Sequence, residues 1–386
     1  MTDTLNIDGA FLTEDHRLLR DQIARLVREE IVPHAEAWEV EGRTPAETFR
    51  RFGELGLLGL AFPEADGGSG MDAAASVILN EELGRSGFGG PTAALTVHSD
   101  MSALHLARVG TAEQKARFLP GILSGDRICA LGVTEPRGGS DLTRIATFAR
   151  RDGDDYVLNG SKIYITNANT ADVFFVVART SEDAKGGSGF SLFVVERNTP
   201  GFTNGTAFNK TGWLSSDTGE LFFDNARVPA ANLLGEEGKG FYYMMKGLDH
   251  ERLCAAGQVL GLAQAAIDAT MAWVRERQAY GRTLWDLQAI RQEMAKLVTE
   301  LLAARAMTYM VALKAGRGEA IQMEGAMLKA YVPDLGNRIL YKCVQYHGGS
   351  GYIRGVPVER ISRDMRLLSI GGGATEVMYD EVAKRL

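Results

Sequence analysis

Apolar positions recur at helical spacing through the first third of the chain. "LTEDHRLLRDQIARLVREEIVPH" gathers them on one face, with Glu14 and Asp15 where a helix would start. "TPAETFRRFGELG" predicts a capping box of Thr44 and Glu47 with Pro45 at the first helical position, and "TAEQKARFLPGIL" repeats the device with Thr111 and Gln114. "MDAAASVILNEELGRSG" and "PTAALTVHSDMSALHLARVG" extend the helical region. From about Arg127 the texture changes. "RICALGVTE", "TFARRDGDDYVLNGSKIYITNA", "DVFFVVART", "GFSLFVVERN" and "GELFFDNARVPA" read as short strands, with "RDGDDY" and "LNGSK" as hairpin-type turns. From about Glu236 long helical segments return at 237–277, 284–315 and 318–346, striped as bundle helices are. The expected class is α+β: an N-terminal all-helical domain (1–126), a central antiparallel β domain (127–235) and a C-terminal four-helix bundle (236–386).

Bulk properties narrow the chemistry. The 386 residues exceed one ordinary core and suggest two or three domains. Apolar residues at 45% and charged ones at 24% give the balance of a soluble globular protein. A net charge of −7 argues against nucleic acid or an anionic membrane as main partner, yet leaves room for an anionic small molecule held by a local Arg or Lys. Cys129, Cys254 and Cys343 lie far apart with no C-x-x-C pair, so neither a zinc site nor a disulfide framework is expected, and a reducing cytoplasm fits. No signal peptide is read at the N-terminus, and no apolar run approaches the roughly 20 residues of a membrane span.

Four stretches carry candidate chemistry. In "SIGGGATEVMYD" three glycines run into a helix start, where bare backbone can approach a ligand and free N–H groups can meet an anion. Neither a Rossmann fingerprint nor a Walker A motif is present. "CALGVTEPRGGSD" ends a strand in hydroxyls and a glycine turn, suited to a polar ring or phosphate, or simply a β-turn. In "LNGSKIYITNA", Tyr164 and Thr166 lie two apart and should face one side of a strand, where they could stack on and hydrogen-bond a planar cofactor. "KGFYYMMKGLDHERLCAAGQVLGLAQAA" puts Asp249, His250, Glu251 and Arg252 at the head of a long apolar helix. Charges there are costly unless paired or used, and a capping role is the alternative. "RQAYGRTLWDLQAIRQ" and "QYHGGSGYIRGVPVERISRDMR" add Arg277, Gln288 and further glycine turns.

Together these stretches resemble the acyl-CoA dehydrogenase family. "GVTEPRGGSD" is similar to its first signature and "QYHGGSGY…VERISRDMR…IGGGATE" to its second, in matching order from about residue 10 to the end. The resemblance implies FAD bound without a Rossmann motif, a homotetramer, and conversion of acyl-CoA to trans-2-enoyl-CoA. A carboxylate would take the α-proton, the β-hydride would go to flavin N5, and an electron-transfer flavoprotein would receive the electrons.

By resemblance, Leu131, Val133, Thr134 and Ser140 match flavin-side positions, Ser140 matching a CoA contact as well. Tyr164 and Thr166 match an aromatic against the flavin and a hydroxyl near N5. Arg277 and Gln288 match contacts to a neighbouring subunit's FAD, and Gln345, Gly348 and Gly349 another FAD segment. Ala374, Thr375 and Glu376 match FAD contacts, and Gly372 and Gly373 thioester contacts, with the Gly372 N–H polarising the carbonyl.

The commonest family pattern places its catalytic glutamate where Gly372 stands. A subset similar to the long-chain and isovaleryl-CoA dehydrogenases instead carries the base on a bundle helix within a pattern like "LDxER". "GLDHERL" fits that pattern, so Glu251 is the expected base, with a raised pKa in a dry pocket. His250 is its rival, but adjacent helix residues point about 100° apart. Tyr242, Asp249 and Arg252 match substrate contacts. Ala374 stands where a threonine is usual, and Arg137 where a small residue is usual.

"GFYYMMKGLDHER" and "GGGATEVM" are closer to the long-chain type, so a medium- or long-chain acyl-CoA is expected, with "TAALTVHSDMSALHL" along the pocket floor. The alternatives are a short branched or terpenoid acyl group, an oxidase variant, or a family flavoprotein without dehydrogenase activity.

Overall fold

Thr13 sets the start of the first long helix, Glu14–Leu26: its hydroxyl accepts from His16 N, and His16 Nδ1 accepts from Thr13 N. The computed structural model describes residues 8–181 and 187–386. In it His16 Nε2 also meets Asp72 at 3.0 Å, and Asp72 caps the Ala73–Gly84 helix by accepting from Ala74 N at 2.9 Å. Thr111 and Gln114 form the expected capping box. Thr44 and Glu47 do not. The Ala46–Glu54 helix starts without a side-chain cap, and the Thr44 hydroxyl donates to the Ser215 carbonyl at 2.8 Å. A tertiary bond has displaced the local one and ties the helical region to the β region.

The Ala73–Gly84 helix is buried from Ala74 to its end. It crosses the longest helix, Gly240–Glu276, on glycines. A Cβ at Gly261 would lie 2.0 Å from the Glu81 carbonyl oxygen, and one at Gly257 2.8 Å from that of Val77. Gly261→Ala should therefore cost about 2 kcal/mol in urea unfolding, overpacking outweighing the gain in helix propensity. Gly9→Ala, with open space around it, should stay within about 0.5 kcal/mol. The same crossing buries Glu81. Burial would raise its carboxyl, but Arg305 at 2.8 Å, Arg20 at 3.2 Å and the Tyr309 hydroxyl at 2.6 Å hold it below the usual range.

Among the described residues eight strands follow: β1 (Cys129–Gly132), β2 (Phe148–Asp152), β3 (Asp155–Thr166), β4 (Val173–Arg179), β5 (Phe190–Glu196), β6 (Phe202–Asn204), β7 (Thr218–Pro229) and β8 (Leu233–Leu234). They form one sheet in the order β6-β7-β3-β2-β4-β5-β8, with β1 parallel beside β4. Pairing is otherwise antiparallel, apart from a single parallel pair joining β2 to β4. β4 and β5 are apolar and buried along nearly their whole length, as strands covered on both faces are. "RDGDDY" makes the β2–β3 hairpin, with Gly153 at φ +63°. "LNGSK" makes no turn. It lies inside β3, where Gly160 at φ +143° marks a bulge that brings its backbone against Thr147.

The C-terminal region holds the helices Gly240–Glu276, Gln288–Gly316, Gln322–His347, Pro357–Leu367 and Thr375–Ala383. Asp364 joins the three regions, accepting from Gly89 N at 2.8 Å and Trp213 N at 2.6 Å. Among the described residues no helix is long and apolar enough to cross a membrane.

Candidate active site

Glu251 lies about three turns inside the Gly240–Glu276 helix. It is 7% exposed, and its Oε1 has no hydrogen-bond partner. Burial pushes its carboxyl up to about 8, against the opposing pull of Arg108 and Arg252. A turn earlier stands Gly247, where a Cβ would sit 2.6 Å from His105 Cε1 and 3.4 Å from Glu251 Oε1. Only glycine lets the His105 ring approach this helix so closely beside the carboxylate. His105 is itself buried with Nε2 unpartnered, and burial together with Arg108 pushes it down to about 4. Glu251 thus has a neutral imidazole as its neighbour, and two unpartnered polar atoms border one small space.

His250 is occupied elsewhere. Its Nε2 meets Asp100 Oδ1 at 2.7 Å, and Asp100 also accepts from Ser76 Oγ and Ser99 Oγ, both at 2.9 Å. Cys254 adjoins the pair: the ligand atoms of Asp100, His250 and Cys254 lie within 4.8 Å of one another. This knot stitches the Val97–Ala103 segment to the long helix. Arg252 donates to Asp249 at 3.3 Å, and both face the Gln322–His347 helix at Gly325. Tyr242 is not with them beside Glu251. Nine residues before Glu251, it falls on the opposite helix face and is 53% exposed beneath the Lys239 ammonium.

The glycine run bends in left-handed backbone, with Gly372 at φ +67° and Gly373 at φ +110°. Lys329 donates to the Leu368 and Gly373 carbonyls at 2.7 and 2.8 Å, and Asn337 donates to Ser369 Oγ at 2.8 Å. Ala374 begins the Thr375–Ala383 helix without a side-chain cap, and Glu376 lies in its first turn.

At the strand ends, Ile163 N donates to the Thr134 carbonyl at 2.9 Å, so Val133 and Thr134 lie beside Tyr164 and Thr166. Lys162 donates to the Val133 carbonyl at 3.2 Å and pairs with Glu135 at 2.7 Å, fully buried. Glu135 in turn accepts from Ala146 N and Thr147 N. Strict alternation fails here, because β3 shifts register between Lys162 and Ile165 and Tyr164 sits at φ +60°. Tyr164 is exposed, its ring 5.8 Å from that of Phe208, while Thr166 pairs with Thr218. Leu131 lies in β1, and Ser140 and Arg137 on the exposed turn beyond it.

A second group gathers at the far end of the bundle. The Arg277 guanidinium lies 5.7 Å from the Trp273 ring, which stacks on His347 and donates to the Tyr346 carbonyl at 3.0 Å. That brings Arg277 to Gln345, Gly348 and Gly349. These residues and Gln288, at the start of its helix, are all exposed. Among the described residues no hydrogen bond or ion pair joins them to the strand ends.

Sequence reasoning missed Lys329, His105, Asp100 and the Lys162–Glu135 pair. One signal was available: Lys329 falls on the same helical stripe as Ala326, Ala330 and Pro333, all buried.

Compared with known proteins, the chain matches three family descriptions: "Acyl-CoA dehydrogenase, N-terminal domain" over residues 13–126, "middle domain" over 130–226 and "C-terminal domain" over 238–386. It is 36% identical over 375 residues to "Long-chain specific acyl-CoA dehydrogenase, mitochondrial" of Rattus norvegicus, covering 97% of this chain and 87% of that protein. It is 37% identical over 378 residues to "Isovaleryl-CoA dehydrogenase, mitochondrial" of Pongo abelii, covering 97% and 89%. The crystal structure of an acyl-CoA dehydrogenase from Geobacillus kaustophilus matches with a TM-score of 0.94 at 38% identity, over 97% of this chain and 98% of that one. A glutaryl-CoA dehydrogenase from Mycobacterium smegmatis, in complex with FADH2, matches with a TM-score of 0.92 at 28% identity, over 99% and 96%.

Proposed function

Since this chain belongs to the acyl-CoA dehydrogenase family, we propose that it dehydrogenates a medium- or long-chain acyl-CoA to the trans-2-enoyl-CoA with Glu251 as base. The observation that carries the assignment of Glu251 is its buried carboxylate with an unpartnered Oε1 and a pKa near 8. Such a group is costly in a folded core and suits a proton acceptor operating near neutral pH.

FAD is the family's cofactor, and when bound it accepts the hydride from Cβ. The residues present fit that group. Thr134 and Thr166 bring hydroxyls to the strand ends beside the exposed Tyr164 ring, and Gly348 and Gly349 have open space where a Cβ would be. Leu131, Val133 and Ser140 would hold it with them, and Arg277, Gln288, Gln345 and Ala374–Glu376 would complete its site. Glu251 removes the α-proton: the C–H bond breaks, an O–H bond forms on the carboxylate, and negative charge moves toward the thioester oxygen. The Gly372 N–H, with no side chain in the way, donates to that oxygen, and Gly373 lies against the thioester. Arg252 and Asp249 border the base, and the Arg108 and Arg252 charges keep part of the Glu251 population ionised.

The exposed Arg277, Gln288 and Gln345 group, flanked by exposed Tyr280, Tyr341, Tyr352 and Ile353, supports a homotetramer in which each chain completes a neighbour's site. An electron-transfer flavoprotein is the proposed acceptor. The long-chain reading rests on the "GFYYMMKGLDHER" likeness. A short branched acyl group is the second reading, favoured by the His105 ring that fills the space beside Gly247, one turn from the base.

Anaerobic addition of saturated acyl-CoAs, from short to long and straight to 3-methyl-branched, tests both. One length class should bleach the yellow protein, and a colourless protein would sink the cofactor assignment. At limiting substrate, the rate of flavin reduction should rise with pH from 6 toward 8, because only ionised Glu251 accepts the proton. A stopped-flow profile flat from pH 6 to 9 would exclude Glu251.

A further inference from the structure

We propose that Lys329 is a positioning residue for this reaction: it fixes the glycine run and holds a positive charge beneath the site of the thioester oxygen. This rests on the proposed roles of Glu251 and Gly372. Lys329 is 2% exposed in the middle of the Gln322–His347 helix, and among the described residues no carboxylate pairs with it. Its ammonium instead donates to the carbonyls of Leu368 and Gly373, which bracket the loop 369–372. Its Cε lies 3.6 Å from where a Cβ of Gly372 would be.

Three consecutive glycines have more backbone freedom than any other sequence, and their own side chains cannot restrain them. The loop's own bonds, Gly371 N to the Leu367 carbonyl at 2.9 Å and Thr375 N to that of Ser369 at 3.2 Å, close it at its two ends without engaging the N–H groups of Gly372 and Gly373. Lys329 is what sets the bend there, and so aims the Gly372 N–H.

The choice of lysine carries the second half of the argument. Two carbonyls could be satisfied by a neutral amide, whereas a buried ammonium near the Arg252 cation is costly. A charge kept at that cost is in place before negative charge reaches the thioester oxygen, and needs no reorganisation when it does.

The test compares Lys329→Met, Lys329→Gln and Lys329→Arg with the parent holoenzyme, every rate expressed per bound flavin. Two readouts are used: the rate of anaerobic flavin reduction by the acyl-CoA that bleaches the parent, and the long-wavelength absorbance that a 3-thia-acyl-CoA produces when it is deprotonated but delivers no hydride. Lys329→Met should reduce flavin about 10²-fold more slowly and lose most of the absorbance, with substrate Kd changed by less than about threefold. Lys329→Arg should recover at least tenfold over Lys329→Gln. Should Lys329→Met fail to fold, the Arg-to-Gln comparison decides alone. Equal rates for Arg and Gln, or a Met variant as fast as the parent, would overturn the proposal. If the parent itself is bleached by no acyl-CoA, the function assigned above is what fails.

Discussion

Glu251→Gln yields a folded, yellow protein whose flavin is reduced about 10²–10⁴-fold more slowly, the usual effect of losing a general base. The amide matches the carboxylate in shape but cannot accept the α-proton. Because Oε1 has no partner to lose, the substitution strands nothing else in the core. Stability should move the other way, with a sign fixed by the pKa. In the native state the Glu251 carboxyl is raised from 4.5 to about 8. Between those values the folded protein binds a proton that the unfolded chain has released, so the wild type loses stability as pH rises through that window. The variant does not, and by pH 8 its advantage should reach about 4 kcal/mol. Chemical denaturation at pH 5 and pH 8.5 measures it, and equal differences at the two values would contradict a buried, raised Glu251. His250→Asn is the control. With His250 bound to Asp100, it should slow flavin reduction less than tenfold, and a loss matching that of Glu251→Gln would reverse the assignment of the base.

Lys162→Met should be the most destabilising single change, at about 4 kcal/mol near pH 7, because it leaves Glu135 buried without its cation. Burial alone would raise the Glu135 carboxyl, and Lys162 with the hydrogen bonds from Thr147 and Ala146 holds it down. Burial also pushes Lys162 down to about 8, against the attraction of Glu135. Without the lysine, Glu135 takes up a proton as pH falls, so part of the loss should return by pH 5. Methionine also releases the Val133 carbonyl, so flavin retention should fall before global unfolding does. Glu135→Gln combined with Lys162→Met should recover at least half of the stability, since the neutral amide keeps acceptor capacity for Ala146 N and Thr147 N. A double variant no better than the single one would show that the pair's charge is not what matters.

What the sequence made legible was local or carried by long motifs. Thr111 and Gln114 cap their helix because both partners lie within one turn. Thr44 carries the same signal, yet bonds Ser215, 171 residues away, which no window of sequence contains. The Gly153 turn was readable because two strands flank it, whereas Gly160 has the same composition inside one long strand. Tyr164 breaks strand alternation through a left-handed backbone that β-rich composition does not announce. Glu251 was singled out by its motif. His105 was not, because its position depends on a crossing between two helices more than a hundred residues apart, made possible by Gly247. Lys329 reads in isolation as a solvated helix lysine, and its carbonyl partners come 39 and 44 residues later.

The burial of the three cysteines has a practical consequence. Cys129 sits in β1, Cys254 beside Asp100 and Cys343 in the Gln322–His347 helix; none reaches solvent, and burial raises every thiol. The native chain should therefore ignore alkylating reagents, and any modification must follow a local opening. With one thiol in the sheet, one beside Asp100 and His250 on the long helix and one on a neighbouring helix, timed alkylation and peptide mapping would clock three regions in an unmodified protein. The order in which the sites react would tell whether the helix that carries Glu251 breathes with its neighbour or apart from it.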